Sequence, residues 1–265
     1  MALRIAVSGA GGRMGRRVVS LVMAEPDLEL ASACEGEGHP DLGRDAGEVA
    51  GAGPVGIPIT DGIGGEPEVI IDFSLPAGAA RAERKAAEMG IPLVTGTTGL
   101  GARERAELES AAGRVPVLEA PNFSLGVSVL TRLVSDAAQA LGPGYDVEIV
   151  EAHHNQKADA PSGTALGLAR AAAAALGRDT AKDLTYGRQG ELGPRKPTEI
   201  GIHAVRAGDI VGEHTVIFGG RGERVELVHR AQTRDNFVVG ALRAARFLVD
   251  KPAGRYTMAQ VLGLE

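Results

Sequence analysis

Residues 3–15 read LRIAVSGAGGRMG, and this stretch decides the fold. A mostly apolar run leads straight into glycines, so 3–8 reads as a buried strand ending in a tight turn. Residues 16–25, RRVVSLVMAE, carry a helical pattern, and 28–34, LELASAC, read as a second strand. Strand, glycines, helix and strand in that order make a βαβ unit. Gly9, Gly12 and Gly15 satisfy G-x-x-G-x-x-G, with Ala10 and Gly11 between the first two, while Met14 breaks the stricter G-x-G-x-x-G spacing. Glycines at such a junction let a ligand approach the backbone, and the first N–H groups of the helix are donors for a pyrophosphate. Glu35 follows Gly15 by 20 residues at the end of the second strand, where an acid can hydrogen-bond an adenosine ribose. A glycine turn beside a solvated glutamate would share parts of this pattern. All four parts in sequence favour dinucleotide binding.

Outward from this unit, residues 36–65 are glycine-rich and read as irregular, with room for a short strand at 55–59. Then EVIIDF (68–73), IPLVTG (91–96) and VPVLEA (115–120) read as strands, separated by helical stretches at 76–89 and 102–112. This alternation predicts a doubly wound parallel sheet, an α/β fold of Rossmann type. The pattern changes near Asn122. A long amphipathic helix (125–142), a strand (145–154) and an Ala-rich helix (162–177) are followed by three strand-like runs at 198–206, 209–218 and 223–232. Glycine-containing turns between these last runs suggest antiparallel neighbours. A helix at 236–250 closes the pattern. The expected organisation is a dinucleotide-binding domain of residues 1–124 and 235–265, and an α+β domain of residues 125–234 with a mixed open sheet.

Composition limits the function classes. The chain has 265 residues, 28 basic against 34 acidic, and a net charge of −6. That argues against general nucleic-acid binding, which draws on Lys and Arg against phosphates. Aromatic residues are 3% and Trp is absent, which disfavours base-stacking platforms. No apolar run is long enough to predict a membrane-spanning helix, and the N-terminus lacks a signal-peptide pattern. One cysteine, Cys34, allows no internal disulfide and no cysteine zinc site, so a cytoplasmic protein is expected. Cys34 itself reads as core. Glycine stands at 38 residues, about twice the usual ~7% share.

The chemistry concentrates at 151–165, EAHHNQKADAPSGTA. His153 and His154 are adjacent and would point to opposite faces in a strand, so both reach one site only if the strand has ended. Lys157 follows His153 by four residues, and a turn could aim both inward. Ser162, Gly163 and Thr164 read as a helix start able to hold an anion. This pattern suits a small polyanionic substrate, with histidine as proton donor and lysine as a compact cation. Metal ligation is poorly supported by two histidines without a third ligand. A Schiff-base lysine fits less well with a nicotinamide loop than hydride transfer does. His203, His214 and His229 lie in the later strands and read as packing or surface residues. Gly96, Thr97 and Thr98 at one strand end can offer backbone and hydroxyl groups to a ribose.

The segments VSGAGGRMG, DFS, GTTG, APNFSLGV and EAHHNQKADAPSGTA, with R-A-x-x-R-x-x-F from Arg230 to Phe237, occur in the order seen in the 4-hydroxy-tetrahydrodipicolinate reductase family. The resemblance covers most of the chain, and H-H-x-x-K-x-D-x-P-S-G-T is its most specific part. It implies reduction of a cyclic dicarboxylate by NADH or NADPH with loss of water, on the route to diaminopimelate and lysine, in a homotetramer built through the second domain's sheet. By position it implies His153 as proton donor with Lys157 as partner, and substrate contacts at His154, Gly163 and Thr164. Cofactor contacts fall at Gly9, Ala10, Gly11, Gly12, Arg13, Met14, Glu35, Gly96, Thr97, Thr98, Ala120, Pro121, Asn122 and Phe123. Many members carry Arg after the ribose acid, where this chain has Gly36, and a second often-basic position is Leu75. Glu35 would repel a 2′-phosphate. NADH is therefore expected to serve at least as well as NADPH, with Arg13, Arg16 and Arg17 as nearby cations that could supply the missing charge. A semialdehyde dehydrogenase would need a mid-chain nucleophilic cysteine, and a non-catalytic nucleotide sensor would leave His153 and Lys157 without a role.

Overall fold

A computed structural model describes residues 1–264 of the chain. Among these residues the chain forms two sheets. The strands and helices of the first compact unit are β1 (Leu3–Ser8), α1 (Arg13–Ala24), β2 (Leu28–Cys34), α2 (Ala46–Ala50), β3 (Ile59–Thr60), β4 (Val69–Asp72), α3 (Pro76–Met89), β5 (Leu93–Thr95), α4 (Ala102–Ala112) and β6 (Pro116–Glu119). The second unit holds α5 (Leu125–Leu141), β7 (Asp146–His153), α6 (Gly163–Leu176), α7 (Thr180–Asp183), β8 (Leu184–Tyr186), β9 (Ile200–Arg206), β10 (Gly212–Gly219) and β11 (Arg224–Ala231). The chain then returns to the first unit with α8 (Asp235–Leu248), β12 (Gly254–Tyr256) and α9 (Met258–Leu262).

The first unit comprises 1–124 and 235–265, and the second 125–234. The first sheet runs β12-β6-β5-β4-β1-β2-β3, and every pair in it is parallel. Its order reverses between β1 and β4, which opens a crevice beyond the carboxyl ends of those strands. Ile5, Val7, Val69, Ile70 and Ile71 are fully buried, as a sheet covered on both faces requires. Helices α3 and α4 pack together on one face and α1 with α8 on the other. The glycine loop is fixed by close packing. Gly9 has φ +79°, and a Cβ there would lie 2.7 Å from the carbonyl oxygen of Phe73. A Cβ on Gly15 would overlap the Gly9 carbonyl oxygen, so α1 can seat only where this residue lacks a side chain.

The second sheet runs β11-β10-β7-β9-β8. Strands β10 and β11 form the expected antiparallel hairpin, and β10 also pairs antiparallel with β7. The run at 198–206 departs from the antiparallel reading. As β9 it pairs parallel with both β7 and β8. The polar loop and α6 carry the chain across the sheet, which is what parallel neighbours require, and β7 separates β9 from β10. The short strands β8 and β12 leave no readable alternation in three residues each. Along β7 and β10 every second residue is buried, and this inner face packs Val147, Ile149, Val216 and Phe218 against α5 and α6.

Candidate functional site

In the second unit, the alternation of β7 turns Glu151 and His153 onto the buried face. Glu151 is fully buried and His153 9% exposed. His153 Nδ1 lies 2.6 Å from Glu151 Oε2. The other contacts of this carboxylate come from donors: Ser162 N–H at 3.0 Å, and Arg206 through both Nη atoms at 2.8 Å each. With Glu151 ionised, Nδ1 is the donor, so His153 presents Nε2 outward as the atom that gains or loses a proton. Burial pulls the His153 pKa below the usual imidazole range, against the opposing pull of Glu151. Arg206 and His153 together hold the Glu151 carboxyl below its usual range despite its burial.

Two neighbours, Ser162 and His214, complete this arrangement. Ser162 caps α6, accepting from the Ala165 N–H at 3.2 Å, and its Oγ lies 3.1 Å from His214 Nε2. The His214 ring meets His153 edge to face, with centroids 5.3 Å apart. Burial pushes the His214 pKa down to about 4, so it is a neutral packing and positioning group at physiological pH. The strand ends at His153, the condition for both histidines to reach one site. His154 follows it, still tied through its N–H to the Ile210 carbonyl at 2.7 Å on the segment leading into β10. Lys157 is half-buried, and its Nζ pairs with Asp159 Oδ1 at 2.8 Å rather than with a histidine. Gly163 and Thr164 open α6, where the first-turn N–H groups and helix dipole favour an anion.

In the first unit, Gly12 caps α1 without a side-chain hydrogen bond, so Arg13, Met14 and Gly15 offer first-turn N–H groups. Glu35 Oε1 accepts from Gly11 N–H at 2.8 Å, and Oε2 from Gly36 N–H at 3.1 Å. A Cβ on Gly11 would lie 2.5 Å from His39 Cε1 and 3.2 Å from Glu35 Oε1, so a side chain here would push the His39 ring aside. Each Glu35 oxygen keeps acceptor capacity for a ribose hydroxyl. The backbone cradle, the bare helix start and the acid at the end of β2 fit a dinucleotide. Ala10 is buried beside this cradle.

Asp72, fully buried at the end of β4, organises the neighbouring strand ends. It accepts hydroxyl hydrogens from Ser74, Thr95 and Thr97 at 2.6, 2.8 and 2.7 Å. Thr97 is thus committed inward, whereas Thr98 is exposed. Gly96 N–H donates to the Asp72 carbonyl, and a side chain at Gly96 would strike the Phe73 ring. Ala120 N–H donates to Thr95 O, Asn122 Oδ1 accepts from Ser124 N–H, and buried Phe123 meets Phe73 edge to face at 5.7 Å. Pro121 lies exposed between them. Cys34 is buried and its thiol pushed up to about 11, which fits core and not a nucleophile.

Sequence reasoning passed over four of these groups. Glu151 and Asp72 lie inside the EAHH and DFS motifs, where spacing alone assigns them no partner. Arg206 and His214 reach the site through register, Arg206 opposite His153 and His214 opposite Glu151. The alternation of β10 was a usable signal for His214, since it puts that side chain on the same face as Val216 and Phe218.

A parallel sheet with a glycine cradle at its switch point, in a chain that also carries a carboxylate-held histidine in a separate mixed-sheet unit, defines a two-unit nicotinamide-linked oxidoreductase. The same fold at 14% identity occurs in an amine dehydrogenase from Mycobacterium smegmatis, with TM-score 0.59 over 97% of this chain and 95% of that one. The chain itself belongs to the dihydrodipicolinate reductase family, whose N-terminal profile matches residues 3–123 and whose C-terminal profile matches residues 126–262. It is 49% identical to the 4-hydroxy-tetrahydrodipicolinate reductase of Halorhodospira halophila (strain DSM 244 / SL1) over the whole of both chains. It is 51% identical to the enzyme of the same name from Anaeromyxobacter sp. (strain Fw109-5), covering 99% of this chain and 98% of the other. A dipicolinate-bound dihydrodipicolinate reductase from Paenisporosarcina sp. TG-14 is similar at 25% identity and TM-score 0.74, over 98% of this chain and 99% of that one.

Proposed function

We propose that this protein reduces 4-hydroxy-tetrahydrodipicolinate to tetrahydrodipicolinate with loss of water, a step toward diaminopimelate and lysine. The observation that carries this reading is full-length identity of about half to reductases of that name, in a chain whose most specific motif folds into the Glu151–His153–Arg206 arrangement. Residues 1–124 and 235–265 hold NADH or NADPH, and 125–234 hold the substrate. The bound nicotinamide supplies a hydride.

Gly9 to Met14 present backbone donors to the pyrophosphate, with Glu35 at the adenosine ribose. Gly96 to Thr98 and Ala120 to Phe123 contact the nicotinamide half. Asp72 keeps these strand-end loops in register. The substrate's carboxylates are held by His154, Lys157 and the start of α6 at Gly163 and Thr164. Lys157 exchanges its contact with Asp159 for one with the substrate. His153, protonated at Nε2, delivers that proton to the ring as it gains electron density. Glu151 fixes the tautomer and stabilises the imidazolium, and Arg206 keeps Glu151 ionised. A dianionic substrate beside His153 raises the pKa that burial lowers, so substrate binding loads the acid.

NADH serves at least as well as NADPH, because Gly36 and Leu75 add no cation near Glu35. The protein works in the cytoplasm as a homotetramer joined through the second sheet. Val205, Val225 and Val228 are large apolar residues exposed on that sheet's strands, which supports the reading. The test is a coupled assay with freshly generated substrate, following oxidation of the reduced coenzyme. Substrate-dependent oxidation is expected, and its absence with both coenzymes refutes the assignment. Light scattering on the purified protein tests the tetramer.

A further inference from the structure

NADPH differs from NADH by one phosphate on the ribose that Glu35 faces, so the charges around Glu35 decide which coenzyme is tolerated. A pocket of about 210 Å³ lies there, lined among others by two acids, Glu35 and Asp61, two cations, Arg81 and Lys85, and Gly36. Gly36 puts no side chain into it. A Cβ at that position would meet one atom within 4 Å, Arg81 Nη2 at 3.6 Å. The guanidinium of Arg81 therefore already stands where a side chain from position 36 would enter. Arg81 and Lys85 are four residues apart on α3 and share a face.

The three arginines of the glycine loop are less well placed to do this work. Arg16 donates to Gly11 O at 2.7 Å and to Asp41 at 2.8 Å, and Arg17 forms a two-bond pair with Asp235. Arg13 is exposed on the first turn of α1 and does not line the pocket. Arg81, in contrast, has no ion pair among the described residues, and Lys85 reaches only Glu88 at 3.7 Å. The Glu35 charge is also partly answered, because two backbone N–H groups hold its carboxylate.

We infer that Arg81, supported by Lys85, is the 2′-phosphate site of this chain and sets its tolerance of NADPH. The guanidinium comes from α3 and faces Gly36 across the pocket, so it can pair with a phosphate on the ribose without displacing Glu35 from Gly11. This inference rests on the dinucleotide reading of the first unit. It makes the protein a user of both coenzymes, with attraction by Arg81 and Lys85 offsetting repulsion by Glu35 and Asp61.

Calorimetric titration of the whole protein with adenosine 2′,5′-bisphosphate and with adenosine 5′-monophosphate tests it. The wild type is expected to bind the two within a few-fold of each other. Arg81→Met is expected to weaken the bisphosphate by ~10-fold or more while the monophosphate changes little, the usual scale for a lost charged hydrogen bond. Arg81 is exposed, so folding is not at stake, and unchanged thermal unfolding verifies this. Equal weakening of both ligands would mean that Arg81 stacks on the adenine, and it overturns the inference. So does an unchanged ratio of the two affinities. If the wild type binds neither ligand, the dinucleotide reading itself fails, an outcome distinct from both.

Discussion

Asp72 and Glu151 are both carboxylates with no exposed surface at or near the end of a parallel-paired strand, yet they are partnered in opposite ways. Asp72 is surrounded by hydroxyls from Ser74, Thr95 and Thr97, groups that do not titrate near neutral pH. Glu151 is surrounded by an imidazole, a guanidinium and one backbone N–H. The first arrangement holds loops in place. The second couples a fixed anion to a group that can carry a proton. Burial of an acid thus says little about function until its donors are identified, and the sharpest experiments are those that act on one carboxylate and leave the other intact.

The largest effect is expected at the group Glu151 serves. His153→Ala should lower kcat by ~10²–10⁴-fold, the usual worth of a positioned acid, with coenzyme affinity nearly unchanged in a fluorescence titration. Loss of coenzyme binding instead would break the division of labour between the two regions.

Glu151→Gln should lower kcat by ~10²-fold and shift the pH profile as well. The amide still accepts a hydrogen bond but no longer stabilises the imidazolium, so the His153 pKa falls further. The limb where kcat/KM declines with rising pH should therefore move to lower pH. An unmoved limb would mean that Glu151 is structural in the same sense as Asp72.

Asp72→Asn supplies the contrast. Its amide N–H₂ faces hydroxyls that now donate, so at least one bond is lost and the Gly96–Thr98 loop loosens. The coenzyme KM should rise by ~10-fold with no change in the pH profile. A shifted profile would remove the distinction between the two carboxylates.

A third buried carboxyl sets the lower end of the series. Glu83 on α3 is fully buried, neither oxygen has a hydrogen-bond partner, and burial with nearby Asp72 pushes its pKa up to about 7. A pKa raised from 4.5 means that the folded state holds the proton more tightly than the unfolded chain. Stability from this group is complete below 4.5 and is lost as pH rises to about 7, a cost of about 3 kcal/mol on the alkaline side. Glu83→Gln should therefore raise the urea midpoint more at pH ~8 than at pH ~5. Equal changes at both pH values would show that Glu83 stays neutral throughout.

The sequence made contiguous features legible. The glycine loop, Glu35, and the His153 to Thr164 segment each lie within one stretch of chain, and local spacing was enough to propose a dinucleotide cradle and an anion-binding acid site. What it did not reveal arrives by pairing between distant strands. Arg206 and His214 join Glu151 only because β9 and β10 flank β7 in a particular register, and a parallel β9 was hidden behind glycine turns that suggest hairpins. Lys157 illustrates the remaining gap. Spacing put it near His153, whose pKa its charge does help to lower, but did not reveal that its own ion-pair partner is Asp159.

The discontinuity of the first unit bears on how the molecule is made. A Cβ on Gly240 would overlap the Phe123 carbonyl oxygen, so α8 seats directly on a loop more than a hundred residues earlier in the chain, and β12 adds the edge of the sheet beside β6. On the ribosome, residues 125–234 emerge as one uninterrupted piece with both of their core helices. The glycine cradle emerges first, but the sheet that supports it stays open at β6 until the last few dozen residues appear. The unit that begins first is completed last, and a chain truncated after residue 234 would keep every strand and helix of the second unit while leaving α8's seat on the first unit bare.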